Sequence, residues 1–529
     1  MERNRRLWNT REVRLALIPI LSVCVFGQVN VLTSHYDQSR TNANLQETIL
    51  NTSNVNASTF GKVGAFPVDG VIFAQPLYMS GVTVGGAVRN VLYVATMHNS
   101  VYAFDTDAPS TPTPLWHVNF GAPVPPNTWG CWDFSTTELG ILGTPVIDPS
   151  RHVLYVVSDT FENGTAVFRL HALDLSDGSE KLNGPIEIKA TVNGFGDGNQ
   201  NGVVILDPMQ HIQRPGLLLL GNRVYIAFGS HCDFYPYHGW MLGYSAADLQ
   251  APSIVFNVTG QSGSGSIWQA GRAPAVGSDG NIYVSTGNGY YDGDTSFSQS
   301  FIKLSPDLTV LDWFAPADWD ELSNVDYDVG SMGPVLVPGT DLLLGGDKYG
   351  NVYVVNRQNM GHLGVDGASF PQIFRAVSTY GIFNIALWNH EAGPIAYVVE
   401  SADWTAAFRI AGGQMETTPI SQTTVNSDYP FQGMALSANG STPGTGILWM
   451  TTGDHFYKPG IPGTLHAFDA LDLMHELWNS DMNSRRDPPG VFAKFVSPTV
   501  VNGRVYIATS SNQVVVYGLI PPRNPGRRR

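Results

Sequence analysis

The 529-residue sequence is poor in positive charge, with 29 Lys and Arg against 44 Asp and Glu and a formal net charge of −15. A nucleic-acid-binding surface needs basic residues to neutralise phosphates, so this balance argues against a nucleic-acid partner. Charged residues of either sign make up only 14% of the chain, whereas hydrophobic residues make up 43%. That proportion excludes a disordered chain and favours a folded one.

Long apolar runs are also scarce. The longest is Leu15–Gly27, which ends in small residues and follows five Arg among residues 1–14. A helix that crosses a bilayer needs about 20 apolar residues, so we expect no membrane span. A shorter apolar stretch behind a basic start is typical of a secretory signal peptide. We therefore predict a signal peptide over residues 1–27 and a secreted or periplasmic protein, with an uncleaved anchor as the alternative.

Cysteine is rare, with three residues in the whole chain. Removal of the signal peptide takes Cys24 and leaves Cys131 and Cys232. In an oxidising compartment an even pair of cysteines favours a disulfide. We predict a bridge between Cys131 and Cys232, and two buried free thiols are the alternative.

Turn residues and aromatics are abundant: 56 Gly, 34 Pro, 12 Trp, 21 Tyr and 25 Phe. This composition indicates an all-β protein of many short strands. A unit of three strands recurs eight times, with an opening strand that usually holds a Pro, an alternating second strand and a third strand such as VYAFD. The second strand appears as NVLYVAT (90–96), HVLYVVS (152–158), NRVYIAF (222–228), GNIYVST (280–286), DLLLGG (341–346), IAYVVE (395–400), ILWMTT (447–452) and RVYIATS (504–510).

Radial repetition of such units produces a β-propeller, so the predicted fold is all-β, an eight-bladed β-propeller with four-stranded antiparallel blades. A solenoid is the rival, but the uneven spacing of the marker prolines suits loops of variable length better. We expect KVGAFPV (62–68) to complete the last blade. The predicted organisation is a single propeller over 28–521, in which 28–65 leads in and closes the ring, followed by a basic tail over 522–529.

The third-strand patterns YAFD and HALD, together with Leu-Trp in PLW (114–116) and ELW (476–478), resemble the tryptophan-containing blades of pyrroloquinoline-quinone (PQQ) dehydrogenases. The segment GGDKYGNVYVVNRQNMG (345–361) is similar to the Lys-x-Gly blade of that family. The chain also resembles a broad group of secreted bacterial PQQ-like propellers. The resemblance implies an exported oxidoreductase that holds PQQ and Ca²⁺ and oxidises alcohol or sugar hydroxyls.

Residue by residue, this resemblance is partial. It implies that Asn288, in a Thr-Gly-Asn sequence, is a Ca²⁺ ligand and that Lys348 bonds the quinone. Alignment of the family's Trp-Asp-Tyr-Asp stretch with residues 325–328 puts Ser323 at the position of the catalytic base, and serine cannot abstract a hydroxyl proton unaided. The residues that remain as candidates for the base are Asp326, Asp328 and His455.

Two further family features are missing. The segment HCDFYPYHGW (231–240), where the family places a Ca²⁺-binding glutamate, contains no Glu. The sequence also has no Cys-x-x-Cys-His motif, so we expect no attached haem.

The residues just after each second strand should lie at one end of the propeller axis, which we name the mouth. They are His98, Asp159, His231, Asn288, Asp347, Lys348, Glu400, Asp454, His455 and Asn512. Imidazoles and carboxylates that converge there would bind a metal or act as an acid–base pair. The alternative is that strand ends around a wet channel are polar because they are solvated.

A bridge between the two remaining cysteines would fix the loop after the second strand of blade 3 and bring Glu138 near that loop. We therefore predict that the metal ligands are Asn288, Asp233 and Glu138. The cofactor-binding candidates are Lys348, Trp240, Trp268 and His231, with the tryptophans as stacking platforms.

Three functions are consistent with these features. The first is an exported PQQ-dependent oxidoreductase that acts on a small alcohol or sugar, which Asn288 and Lys348 favour. The second is a non-catalytic propeller that binds glycans or envelope proteins at its mouth, which the missing base and glutamate favour. The third is a metal-dependent hydrolase or lyase that uses the ring of His and Asp residues.

Overall fold

The computed structural model describes residues 29–125, 128, 138–364, 372–377, 381–400, 404–425, 431–453 and 462–520. These residues form eight blades, each a small and mostly antiparallel sheet. The predicted eight-bladed propeller is therefore confirmed. No helix in the described ranges is long and apolar enough to cross a membrane. The predicted signal peptide and Cys131 lie outside the described residues, so cleavage and the disulfide stay predictions.

The first four blades contain the following strands. Blade 1 has Leu77–Val84, Ala87–Ala95, Ser100–Asp105 and Trp116–Asn119. Blade 2 has Val146–Asp148, Val153–Glu162, Thr165–Asp174 and Ile186–Glu187, and a separate hairpin of Thr191–Asn193 and Val203–Ile205 follows it. Blade 3 has His211–Ile212, Leu218–Leu220, Arg223–Ser230, Trp240–Ser245 and Ile254–Asn257. Blade 4 has Ala275–Val276, Ile282–Ser285, Phe301–Leu304 and Val310–Pro316, with His362–Gly364 added in parallel.

The last four blades repeat this plan. Blade 5 has Val335–Leu336, Leu342–Gly346, Asn351–Asn356 and Gln372–Arg375. Blade 6 has Ile382–Trp388, Ile395–Glu400 and Ala406–Ala411, edged by Gln414–Met415 and Ser421–Gln422. Blade 7 has Met434–Ser437, Ile447–Thr452, Thr464–Asp469 and Asp472–Asn479. Blade 8 has Thr499–Val501, Arg504–Ala508 and Gln513–Leu519. Within the described ranges, the helical segments given bounds are the α-helix Trp319–Asn324 and the 3₁₀ turns Gln269–Gly271, Val329–Ser331 and Ser480–Asn483.

The core lies between neighbouring blades. In blade 2, Tyr155 and Val157 pack in one apolar cluster with Phe228 of blade 3, whereas Leu154 and Val156 belong to the cluster shared with blade 1. Successive side chains of a strand point to opposite faces of its sheet, and here both faces are covered. The second strands are therefore apolar on both faces, and the alternation expected from the sequence is not found.

The ring is closed by a strand from the start of the chain. Phe60–Pro67 pairs antiparallel with Gln513–Leu519, and Phe60 lies opposite Leu519. The predicted closure by residues 62–68 is therefore confirmed. The N-terminal strand is the fourth strand of blade 8, and it covers a sheet edge that would otherwise be open.

Residues 31–44 run around the axis along the innermost strands, and we name them the N-terminal belt. Their carbonyl oxygens accept backbone hydrogen bonds from blades 2, 4, 5, 6 and 7 in turn: Leu32 from Ile147 at 2.8 Å, Gln38 from Val276 at 2.7 Å, Ser39 from Leu336 at 2.9 Å, Thr41 from Leu387 at 2.8 Å and Asn42 from Leu436 at 2.9 Å. Within the belt, Arg40 is fully buried and donates to Pro274 O at 2.8 and 2.9 Å. Burial lowers the pKa of Arg40 to about 10.

Candidate functional site

Lys348 is the centre of the candidate site. It follows the second strand of blade 5, Leu342–Gly346. Its Nζ lies 2.7 Å from Asp326 Oδ1 and 2.7 Å from Asp328 Oδ2, and both aspartates belong to the link between blades 4 and 5. Hydrogen bonds between charged groups are the strong ones, so the two carboxylates fix the position of the ammonium.

Asn288, after the second strand of blade 4, connects to the same two aspartates. Its backbone N–H donates to Asp328 Oδ1 at 2.8 Å, and its Nδ2 donates to Asp326 Oδ1 at 2.8 Å. Its Oδ1 accepts from Gln299 Nε2 at 3.1 Å. Four predicted site residues thus form one hydrogen-bonded group, which we name the Lys348 cluster: Asn288, Asp326, Asp328 and Lys348.

Ser323, at the aligned position of the family's base, has a structural role. Its Oγ accepts from the backbone N–H of Gly289 at 3.2 Å and donates to Gly289 O at 3.1 Å. The hydroxyl therefore holds the link between blades 4 and 5 against blade 4.

Beside the Lys348 cluster lies a group of four aromatic rings, which we name the aromatic floor. Trp268 is half-buried and lies 6.2 Å from Phe383 and 6.1 Å from Phe495, measured between ring centroids. Phe431 lies 4.7 Å from Phe495. Lys348 Nζ is 5.4 Å from the centroid of the Trp268 ring, so the predicted residues Lys348 and Trp268 are adjacent.

Two cations that the sequence did not single out also contact this floor. The Arg214 guanidinium lies 5.4 Å from the Phe495 centroid, and Lys494 Nζ lies 5.2 Å from the Phe431 centroid. Both side chains are almost fully buried, and with Lys348 they place three positive charges around the floor of an acidic protein. Arg214 lies between two strands of blade 3, whereas Lys494 lies in the link that enters blade 8, so no common pattern in the sequence marks them.

The three predicted metal ligands have different partners. Glu138 Oε2 is 2.8 Å from His98 Nδ1, and this hydrogen bond raises the pKa of His98. Asp233 Oδ1 accepts from Ser230 Oγ at 2.6 Å, whereas Asn288 belongs to the Lys348 cluster. In the described part of the chain, no group of three or more His, Cys, Asp and Glu side chains could hold a metal ion.

Trp240 corrects one sequence-based expectation. The side chain is 0% exposed and packs in the apolar cluster between blades 2 and 3, where its Nε1 donates to His211 Nε2 at 3.1 Å. It has no exposed face on which a flat ligand could stack, because it points into the sheet interface rather than the mouth. His231 is also buried, and its backbone N–H donates to Gln210 O at 3.2 Å.

The expected ring of polar side chains at the mouth is only partly formed. Asp347 is buried and accepts hydrogen bonds from Gly350 N, Asn351 N and Nδ2, and Tyr353 Oη, so it ties together the turn that follows its own strand. Asp159 is buried too, and burial raises its pKa well above the ordinary value. Asp454, His455 and the side chain of Glu400 lie outside the described residues.

The fold is similar to that of solved quinoprotein dehydrogenases. The quinohemoprotein alcohol dehydrogenase of Comamonas testosteroni matches with a TM-score of 0.58 and 14% identity, over 94% of this chain and 82% of that chain. The quinohemoprotein alcohol dehydrogenase ADHIIG of Pseudomonas putida HK5 matches with a TM-score of 0.56 and 13% identity, over 95% and 82%. A europium-containing methanol dehydrogenase matches with a TM-score of 0.50 and 14% identity, over 90% and 81%.

No model of a protein family matches the sequence, and no curated protein matches it either. At identities this low, the likeness to solved structures concerns the fold. The chain therefore shares the propeller architecture of quinoprotein dehydrogenases.

Proposed function

We propose that this chain binds a planar anionic quinone of the PQQ class at its mouth and uses it to oxidise the hydroxyl group of an alcohol or a sugar. The observation that carries the proposal is the position of Lys348, held between Asp326 and Asp328 and 5.4 Å from the Trp268 ring. The likeness in fold to quinoprotein dehydrogenases supports it. Export to the periplasm or the medium belongs to the same proposal.

The side chains of the floor fit such a group. A flat ring system packs well on an aromatic face, and Trp268 keeps part of its surface exposed. Carboxylates of the ligand would meet positive charge from Lys348, Arg214 and Lys494. When bound, the quinone would supply a two-electron acceptor for alcohol oxidation.

Within the Lys348 cluster the two aspartates have different roles in this proposal. The side chain of Asp326 is 56% exposed, whereas that of Asp328 is 5% exposed. Because its side chain is the more exposed of the two, we assign Asp326 to accept the proton of a substrate hydroxyl, with Lys348 fixing its position. Asp328 positions Lys348 and the backbone of Asn288. His455 remains a further candidate for the base.

The cluster does not fit a Ca²⁺ ion. Calcium takes about six to eight oxygen ligands, but an ammonium already occupies the space between Asp326 and Asp328. The Asn288 oxygen is engaged by Gln299, and the predicted ligands Asp233 and Glu138 have other partners. We therefore propose a site in which Lys348 supplies the positive charge.

The test is a titration of the chain from residue 28 onward with PQQ, by calorimetry and by dye reduction with a panel of alcohols and sugars. We expect micromolar binding that neither Ca²⁺ nor EDTA changes. Lys348→Ala should weaken binding about tenfold or more, since it removes a charge-assisted hydrogen bond. Lys303→Ala is the matched control, because Lys303 also pairs with an aspartate, Asp279 at 3.0 Å, and lies 5.9 Å from an aromatic ring.

The second candidate is a non-catalytic propeller that binds glycans or an envelope protein, which the role of Ser323 in holding Gly289 favours. Absence of PQQ binding in the wild-type chain would reject the oxidoreductase and leave this alternative. A requirement for Ca²⁺ would show that the cluster rearranges around a metal.

A further inference from the structure

The exposed aromatic side chains of the described residues are all at one end of the propeller. Six Phe, Tyr and Trp side chains there are between 38% and 78% exposed, and all lie on mouth loops between blades 2 and 6. They form the aromatic arc: Phe195, Phe234, Tyr235, Tyr290, Tyr349 and Trp404. At the opposite end, the exposed apolar residues are aliphatic, as in Val88, Leu471 and Met474. Exposed apolar surface gathered in one region marks a binding site.

Contacts connect the arc across blades 3 and 4. Tyr235 Oη accepts from Ser264 Oγ at 3.2 Å, and Ser264 is bridged to Gly289, the neighbour of Tyr290. The Tyr290 ring packs edge-on against Trp319 with centroids 5.7 Å apart. The rings are therefore held by polar and aromatic contacts while their outer faces are open, with Tyr235 67% and Tyr290 52% exposed.

The arc continues to the candidate site in blade 5. Trp319 begins the short helix Trp319–Asn324, which leads directly to Asp326. Tyr349 follows Lys348 in sequence, and its ring lies 5.1 Å from that of Tyr327. The Arg375 guanidinium covers one face of the Tyr349 ring, 4.1 Å from its centroid. A ligand that lay across the rings of blades 3 to 5 would thus pass the Lys348 cluster.

Charge and hydrogen-bonding groups on this surface define the ligand. Exposed carboxylates lie on the loops of the arc at Asp233, Asp292 and Asp326, where they also accept from Ser230, from the loop of Asp292 itself and from Lys348. The chain as a whole carries a formal charge of −15. Away from the positive charges of the aromatic floor, this balance disfavours an anionic polymer or an anionic lipid surface. Sugars offer apolar ring faces that stack on aromatic side chains and hydroxyl groups that donate to carboxylates, which matches rings with interleaved acids.

We infer that the mouth binds a neutral polysaccharide, laid along the aromatic arc over blades 3 to 5. Binding along the arc does not depend on the proposed function. The further claim, that one hydroxyl group of the polysaccharide lies at Lys348, rests on that function. Tyrosine and tryptophan provide large and rigid contact area at low entropic cost, so we assign most of the affinity to the rings.

The experiment is affinity electrophoresis and calorimetry of the chain from residue 28 onward with soluble xylan, mannan and β-glucan, and with polygalacturonate as an acidic polymer. We expect at least one neutral polymer to bind and polygalacturonate to bind more weakly. The double variant Tyr235→Ala/Tyr290→Ala should lose about tenfold or more in affinity, as expected when two stacking contacts are removed. Leu471→Ala/Met474→Ala, at the opposite end, is the matched control and should bind like the wild type.

Three results would overturn the inference: no binding of any neutral polymer by the wild type, equal affinity of the Tyr235/Tyr290 variant and the wild type, or tighter binding of polygalacturonate. Thermal unfolding of each variant verifies that it is folded, and Tyr349→Ala offers a second, independent weakening. Lys348→Ala separates this inference from the proposed function. It should weaken PQQ binding about tenfold or more and change the affinity for the polysaccharide by less than about twofold, because most of that affinity is assigned to the rings.

Discussion

His171 Nδ1 lies 2.5 Å from Glu180 Oε1 in blade 2, and the other ring nitrogen lies 3.0 Å from Ser158 Oγ. The same arrangement recurs in blade 7, where His466 Nδ1 is 2.6 Å from Glu476 Oε1 and Nε2 is 2.9 Å from Thr452 Oγ1. A neutral imidazole offers one donor and one acceptor. In the tautomer with the proton on Nδ1, it donates to the glutamate and accepts from the hydroxyl. His466 thus joins three strands of blade 7, whereas His171 joins two strands of blade 2 to the segment that carries Glu180.

We expect replacement of these buried histidines to destabilise the propeller. His466→Ala leaves Glu476 and Thr452 without their partner, which costs about 1–3 kcal/mol of the free energy of unfolding. His475→Ala is the control, because His475 is exposed on the neighbouring strand and its loss should cost less than about 0.5 kcal/mol. Urea unfolding monitored by circular dichroism measures both. Equal stability of the two variants would contradict a structural role for His466.

Gly287 is required by the close approach of Asp328 to blade 4. A Cβ at position 287 would lie 2.6 Å from Asp328 Oδ1, so Gly287→Ala must displace the carboxylate that holds Lys348. We expect PQQ affinity to fall about tenfold or more, since such overpacking costs about 1–3 kcal/mol. Gly260→Ala is the control, because its nearest neighbour would be 3.5 Å away. Unchanged PQQ binding in Gly287→Ala would argue against a part for Asp328 in the site.

We expect substitutions of Asp326 and Asp328 to have different effects, the first on turnover and the second on PQQ binding. Asp326→Asn removes the exposed carboxylate that accepts the proton, so we expect the kcat of dye reduction to fall about 100-fold, the loss typical of a general base. Asp328→Asn disturbs the position of Lys348 and should weaken PQQ binding instead. Calorimetry and steady-state kinetics on both variants test this division. A normal kcat in Asp326→Asn would assign the proton transfer to another group.

Burial raises the pKa of Asp347 from 3.8 to about 6. In the window between these values the native state keeps a proton that the unfolded state releases, so the contribution of Asp347 to stability is lost as the pH rises from about 4 to 6. Asp347→Asn does not titrate. We expect the free energy of unfolding of the wild type to fall relative to that of the variant by about 2–3 kcal/mol across this window. Parallel pH profiles from urea titrations would contradict the assignment.

The repeat predicted the fold because a blade is a local unit, with three strands that each leave a readable pattern in about 60 residues. The N-terminal belt left no such pattern. Many of its contacts with the blades run through backbone carbonyls, as at Gln38 and Thr41, and those that use side chains, such as Arg40 and Asn42, involve buried polar residues that follow no repeat.

The site was predicted in part, for a similar reason. Lys348, Asn288, Asp326 and Trp268 lie on loops of neighbouring blades, so their convergence follows from the topology. The position of a residue after a strand does not fix the direction of its side chain, and Asp347 accordingly folds back on its own turn. The sequence analysis did not identify three rings of the aromatic floor, Phe383, Phe431 and Phe495. Apolar residues near the axis cannot be distinguished from core residues in the sequence.

The closing strand and the belt also affect the order in which parts of the propeller fold. Val29 N donates to Asn502 Oδ1 across 473 residues of sequence, and Phe60–Pro67 finds its partner only in Gln513–Leu519. Pairings this distant form slowly, and an open sheet edge is prone to associate with other chains in the meantime. The belt and the closing strand are therefore among the last described segments to reach their native partners, and the loss of Phe60–Pro67 would leave blade 8 with three strands and an open edge.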